Sequence, residues 1–321
     1  MERLLFILTV CFGSIAAGYA IQAYCAGRGI FTYEQIKSVS DRIKIITIVF
    51  LLPIPILHAF WKIHFTVGTL FVIPFEGILS FLVGGASAII LIRLFRVVPP
   101  RAASVFVCGM FTNLGIFGGF ICFVLFRDLG FLIVQLFTVF EVFIYLVVGF
   151  PLSQQISRGA LQSLRFDFRS IKDQPVAFVP IFAIVLGSLL KTFGVYRPPV
   201  FGTFSSFLIP AMTAALGIAI GMTLRFSRIR TYLREVVMIT TIKFCIIPMV
   251  NIPVAIFLGM GRIMDGVPLK VITVLSFMPV AFIALVPPVL YDFDLDCANS
   301  GWLVTTLAIL VIFPLLYCIV V

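Results

Sequence analysis

Long apolar stretches constrain this chain more than any other feature, because they recur along all of its 321 residues. A helix needs about 20 apolar residues to cross the hydrocarbon core of a bilayer. Hydrophobic residues make up 62% of the chain and charged residues 11%, so we expect an all-α membrane protein without a soluble domain. The stretches predict ten transmembrane helices, at about 4–25, 43–61, 67–93, 102–126, 130–153, 175–193, 203–224, 235–259, 267–291 and 300–320.

Basic residues are distributed unevenly between the two sides of these spans. Fifteen Lys and Arg residues lie in loops that follow odd-numbered spans, and seven lie on the opposite side. Because cytoplasmic loops carry the excess of Lys and Arg, we expect a multi-pass protein of the inner or plasma membrane with both termini outside. The net charge of +10 then reflects topology and contact with membrane lipids, and it gives no indication of nucleic-acid binding.

The ten predicted spans divide into two halves of five. The polar segment 154–174 is predicted to be a cytoplasmic linker between a first five-helix repeat, 1–153, and a second, 175–321. Because five is an odd number, the second repeat would be inverted relative to the first. Inverted repeats are typical of secondary transporters, which bind their substrate at interrupted helices near the middle of the membrane.

Each half interrupts one span with residues that weaken a helix. The sequence GMFTNLGIFGG at 109–119 lies within span 4, and Met278-Pro279 lies within span 9. An acidic residue follows 15 positions after Asn113 in the first case and 15 positions after Pro279 in the second. Broken helices persist at membrane depth where protein or a wet cavity covers the freed backbone, and their free N–H groups suit an anion.

These interruptions supply the candidate substrate-binding residues. The alternative interpretation is helix packing alone, since Gly115 and Gly119 form a GxxxG motif of the kind that lets helices approach closely. A continuous helix through 111–119 would remove the site hypothesis. The substrate-binding candidates are Thr112, Asn113, Gly115, Gly118, Met278 and Pro279.

Three charged residues lie inside predicted spans: Glu76, Glu141 and Lys243. A charge facing lipid is costly, so each is expected to face the protein interior. They are candidates for a proton or cation relay, or for a counter-charge to an anionic substrate. The alternatives for Glu76 and Lys243 are a structural ion pair or a lysine that extends to the interface.

Other functional classes find little support in the sequence. The seven cysteines and two histidines lack metal-site spacing, so we expect no metal and no cofactor. We expect no enzymatic activity, because motifs such as HExxH and GxSxG are absent from the sequence. A channel or a receptor without transport remains an alternative. Bulk flux rather than saturable flux would indicate a channel.

Four patches resemble the auxin efflux carrier family, whose bacterial members are permeases. They are NLGIFGG in span 4, KFCIIP in span 8, MPVAFIALVPPVLYDFD in span 9 and ANSGWLVTTLAILVIFPLLY at the end of the chain. The chain length and the ten-span layout agree with the family. One departure is Phe120, which stands where the family usually has a proline seven residues after the asparagine.

The resemblance implies two inverted five-helix repeats in which broken helices 4 and 9 cross. It also implies export or exchange of small organic anions, such as carboxylates or auxin-like acids, by alternating access. Asn113 would then face the substrate carboxylate, and Pro279 would mark the break in span 9. A sodium- or proton-coupled symporter of the related bile-acid type is an alternative, and a homodimer is a candidate assembly by analogy with related folds.

Overall fold

The computed structural model describes residues 2–62, 68–159, 179–224 and 229–320, and every regular element in these ranges is a helix. Within these ranges, seven helices are long and apolar enough to cross a membrane, which fits an all-α membrane protein. The ten spans and the inverted repeat remain predictions. In chain order the helices are α1 (Glu2–Gly27), α2 (Glu34–Lys62), α3 (Ile73–Leu94), α4 (Pro99–Met110), α5 (Leu114–Ser157), α6 (Val179–Thr192), α7 (Val200–Gly221), α8 (Ile229–Phe257), α9 (Val267–Ser276), α10 (Val286–Leu290) and α11 (Leu295–Val320).

Helix α5 is too long to be a single span. Its 44 residues would extend about 66 Å as a straight helix, which is more than twice the thickness of the hydrocarbon core. Arg127 leaves helical geometry within it, with φ 57° and ψ −145°. That residue lies between predicted spans 4 and 5. Most of the predicted linker 154–174 lies outside the described residues, as does the start of predicted span 6.

The chain forms two compact units, and each draws segments from both halves of the sequence. Unit 1 comprises Met1–Thr66, Gly119–Gln135 and Val176–Arg225. Unit 2 comprises Val67–Gly118, Leu136–Pro175 and Phe226–Val321. The units are defined by contacts in space, whereas the two predicted repeats are defined along the sequence.

Small residues bring α1 and α7 together inside unit 1. A Cβ atom on Gly18 would overlap the carbonyl of Ile218, and one on Gly221 would overlap the carbonyl of Ile15. Such close approach of two backbones is the usual reason for glycine at membrane helix interfaces. Phe120 is also buried in this unit, where its ring meets that of Phe6 at a centroid distance of 5.8 Å.

Unit 1 also holds a polar cluster around the buried ring of His58. Arg197 lies 2.9 Å from Nδ1 of His58, while Nε2 of the same ring is 3.7 Å from a carboxylate oxygen of Asp128. That carboxylate accepts a hydrogen bond of 2.6 Å from Lys62. Asp128, the acidic residue 15 positions after Asn113, therefore serves an internal ion pair of unit 1.

A similar close approach joins α3 and α4 inside unit 2. A Cβ atom on Gly84 would overlap the carbonyl oxygen of Gly109, and a Cβ on Gly109 would come within 2.9 Å of the Ala88 side chain. Large aromatic side chains, including Phe81 and Phe111, fill the neighbouring core and are fully buried. The end of α4 is therefore held tightly against α3, and this end forms the candidate site.

Candidate functional site

Two predicted spans are interrupted in unit 2. Helix α4 ends at Met110, the next residue is extended with φ −90° and ψ 118°, and helical geometry resumes at Leu114. Helix α9 ends at Ser276, and a short 3-10 turn begins only at Phe282. The chain is therefore not a continuous helix through 111–119, so the result that would have removed the site hypothesis is not found.

The two interruptions hydrogen-bond to each other. Thr112 and Val280 form an isolated antiparallel bridge. On either side of it the Asn113 N–H donates to the Pro279 carbonyl at 2.8 Å, and the Ala281 N–H donates to the Phe111 carbonyl at 3.0 Å. Each break thus satisfies backbone groups that the other break frees, as membrane depth requires.

Asn113 begins the helical segment after the first break. Its side-chain oxygen accepts a hydrogen bond of 3.3 Å from the Phe117 N–H, four residues further along the chain. Its side-chain NH₂ group has no acceptor among the described residues, and neither do the backbone N–H groups of Gly115 and Ile116. Three neighbouring donors therefore remain unused at a helix start, where the helix dipole favours negative charge.

Lys243 contacts the carbonyl end of α4, where the same break begins. Its side chain is 0% exposed. The ammonium group donates to the Gly109 carbonyl at 2.9 Å and to the Thr112 hydroxyl at 2.6 Å. The Gly109 carbonyl is among the last four of α4, which have no partner within the helix.

Tyr145 contacts the break through Thr112 and Phe111. Its hydroxyl oxygen accepts a hydrogen bond of 3.2 Å from the Thr112 N–H, and its ring stacks on that of Phe111 at 4.0 Å. Glu141 lies four residues earlier in α5, on the same helical face as Tyr145. Tyr145 and Lys243 therefore both contact Thr112 at the break.

The glycines of the interruption in span 4 have different surroundings. A Cβ on Gly118 would come within 2.6 Å of the Leu275 side chain and 3.5 Å of Met278, so Gly118 serves close packing between the breaks. Gly115 is exposed, and a Cβ there would meet no described atom within 4 Å. Packing therefore explains Gly118 and leaves Gly115 available to a ligand.

Most of the predicted site residues come together, and Glu76 does not join them. Thr112, Asn113 and Pro279 share the hydrogen bonds between the breaks, and Met278 lies beside Gly118. Glu76 is buried in the first turn of α3 at 2% exposure, and neither of its carboxylate oxygens has a hydrogen-bond partner among the described residues. No metal-binding group of His, Cys, Asp and Glu occurs in the described ranges.

Three residues that support the site were not predicted from the sequence. Tyr145 was detectable in principle, because it lies four residues after Glu141 and so on the same helical face. Gly84 carried a weak signal as part of a Gly-Gly pair in span 3. Thr305 accepts a hydrogen bond of 3.2 Å from the Val280 N–H, but a single threonine in an apolar helix gives no sign of such a role.

Comparison with known proteins supports a transporter in general. No protein-family model matches the chain. An uncharacterized transporter of Methanothermobacter thermautotrophicus is 26% identical over 145 residues. The match covers 45% of this chain, and the chain spans 46% of that relative. Together with the apolar helices, this similarity indicates a multi-pass membrane protein related to transporters.

Proposed function

We propose that the protein is a secondary transporter of small organic anions, with its substrate carboxylate bound at the paired breaks of unit 2. The observation that carries the proposal is the set of unused donors at Asn113, Gly115 and Ile116. A carboxylate offers two acceptor oxygens, and charge-assisted hydrogen bonds to it are stronger than neutral ones. The similarity to a transporter supports transport as the function, and the resemblance to auxin efflux carriers supports an organic anion as the substrate.

The charge at the breaks also favours an anion. The start of the segment after Asn113 presents the positive end of a helix dipole, and the side-chain amine of Lys243, which contacts Thr112, adds positive charge when it is protonated. No acidic side chain hydrogen-bonds to Asn113 or Thr112 in the described residues. An anion placed beside Asn113 would therefore meet favourable potential from both groups.

Alternating access requires that the breaks face each side of the membrane in turn. The hydrogen bonds between the breaks lie wholly within unit 2, so we propose that this unit carries the substrate as one body. Transport would then be coupled to protons or proceed as uniport. Glu141 and the buried, unpaired carboxyl group of Glu76 are the proposed proton-binding groups, and collapsing a proton gradient should slow a coupled carrier.

Flux through reconstituted liposomes tests the function. A panel of radiolabelled mono- and dicarboxylates should include one acid whose uptake saturates with concentration. Asn113→Ala removes the unused NH₂ group and should abolish that flux. Asn299→Ala is the matched control, because Asn299 lies in the second turn of α11 and makes no contact with the breaks that the structure records.

The outcomes separate the candidate functions. Saturable flux that is lost in Asn113→Ala and kept in Asn299→Ala supports the proposed site. Equal flux in both variants would retain the carrier and reject Asn113 as the carboxylate ligand. Flux that rises linearly with concentration would favour a channel, and absence of flux from folded protein for every acid tested would reject organic anions as the substrate class.

A further inference from the structure

The carbonyl end of α4 is a negative pole buried inside unit 2. The last carbonyl groups of a helix lack partners within the helix, and together they carry about half a negative elementary charge. The Val107 carbonyl accepts a hydrogen bond from the Phe111 N–H. The Cys108 thiol donates to the Ala298 carbonyl and so does not contact this end of α4 as a counter-charge. The Gly109 carbonyl accepts its hydrogen bond from Lys243. The Lys243 ammonium group is therefore the charged group that contacts this end of α4.

The two atoms that hold the ammonium group are oxygens. A backbone carbonyl and a hydroxyl are typical ligands of small hard cations, and here they converge on one point, at 2.9 Å and 2.6 Å from Nζ. A soluble cation of similar charge would find the same surroundings if the lysine side chain were removed.

We propose that Lys243 is a tethered counter-cation that occupies a monovalent-cation site formed by the Gly109 carbonyl and the Thr112 hydroxyl. The chain supplies this charge covalently, so the native protein needs no soluble cation at the break. Removing the lysine side chain opens a latent site for sodium or lithium. This inference goes beyond the transported substrate, because it concerns a cation at the carbonyl end of α4 and holds whatever anion is carried.

The site can be sought in the thermal unfolding of purified protein in detergent. Wild-type protein and Lys243→Ala are melted in sodium, lithium, potassium and choline chloride at equal ionic strength. The methyl groups of choline keep oxygen ligands from coordinating its charged nitrogen directly, so choline reports the effect of salt alone. Lys270→Ala is the control, because Lys270 is a partly buried lysine of the same unit that makes no recorded contact with the break.

We expect the Tm of the wild type to be the same in all four salts, and we expect the same of Lys270→Ala. Lys243→Ala should melt lower in choline and recover with sodium or lithium. At a cation concentration 100 times the dissociation constant, Tm should rise by about 5 °C. Thr112→Val added to Lys243→Ala removes one ligand and should abolish this recovery.

Two results would overturn the inference. One is a Tm of Lys243→Ala that is the same in choline, sodium and lithium. The other is saturable binding of radioactive sodium to the wild type that Thr112→Val abolishes, which would show that Lys243 does not occupy the cation site. The second measurement does not use Lys243→Ala, so it can refute the inference even if that variant fails to fold. Neither depends on carboxylate flux, so failure of the proposed transport function would be seen separately.

Discussion

Gly84 provides a direct test of the packing that holds the α4 end in place. Gly84→Ala adds a Cβ that would overlap the carbonyl oxygen of Gly109, the same oxygen that accepts a hydrogen bond from Lys243. Because a backbone oxygen cannot rotate away, α3 or the break must shift. Overpacking of this kind typically costs about 1–3 kcal/mol, and the higher helix propensity of alanine offsets about 1 kcal/mol of it.

The neighbouring residue gives a matched control. Gly85→Ala receives the same gain in helix propensity, but its nearest contacts are side-chain atoms of Phe106 at 3.3 Å and Met110 at 3.5 Å, which can adjust. The difference between the two variants therefore isolates the backbone overlap. We expect Gly84→Ala to unfold about 2–6 °C below Gly85→Ala in detergent. Equal Tm values would refute the close approach of α3 to the Gly109 carbonyl.

Three further substitutions test other contacts of the structure. Tyr145→Phe keeps the ring stacking but leaves the Thr112 N–H without its acceptor, so stability should fall by about 1–3 kcal/mol in chemical unfolding. Gly115→Ala enters open space, so its Tm should stay near that of the wild type while the KM for the transported acid rises at least severalfold, as liposome uptake would show. Gly18→Ala places a Cβ on the Ile218 carbonyl and should lower Tm through unit 1, and an unchanged Tm would contradict that packing.

The interruptions could be predicted from sequence because they depend on local chemistry. Gly and Pro weaken helices wherever they occur, and a break at membrane depth needs a partner, so Asn113 and Pro279 could be singled out together. The hydrogen bond that joins them spans more than 160 residues of chain, and no local pattern specifies it. The two breaks could therefore be predicted from the sequence, whereas the hydrogen bonds between their backbones could not.

The surroundings of the charged residues were harder to predict. Burial of Lys243 and Glu76 followed from the cost of exposing a charge to lipid. The hydrogen-bond acceptors of Lys243 could not be predicted in this way, because the Gly109 carbonyl becomes available only where α4 ends. The two compact units also could not be anticipated, because each collects segments from both halves of the chain and so depends on tertiary packing rather than on sequence order.

An experimental structure with a transported carboxylate bound would test the account most directly. We predict that one carboxylate oxygen lies within hydrogen-bonding distance of the Asn113 side-chain nitrogen and that the other lies near the Gly115 N–H. The break between Met110 and Leu114 should be retained. A carboxylate bound away from both breaks, or a continuous helix through Asn113, would contradict the account.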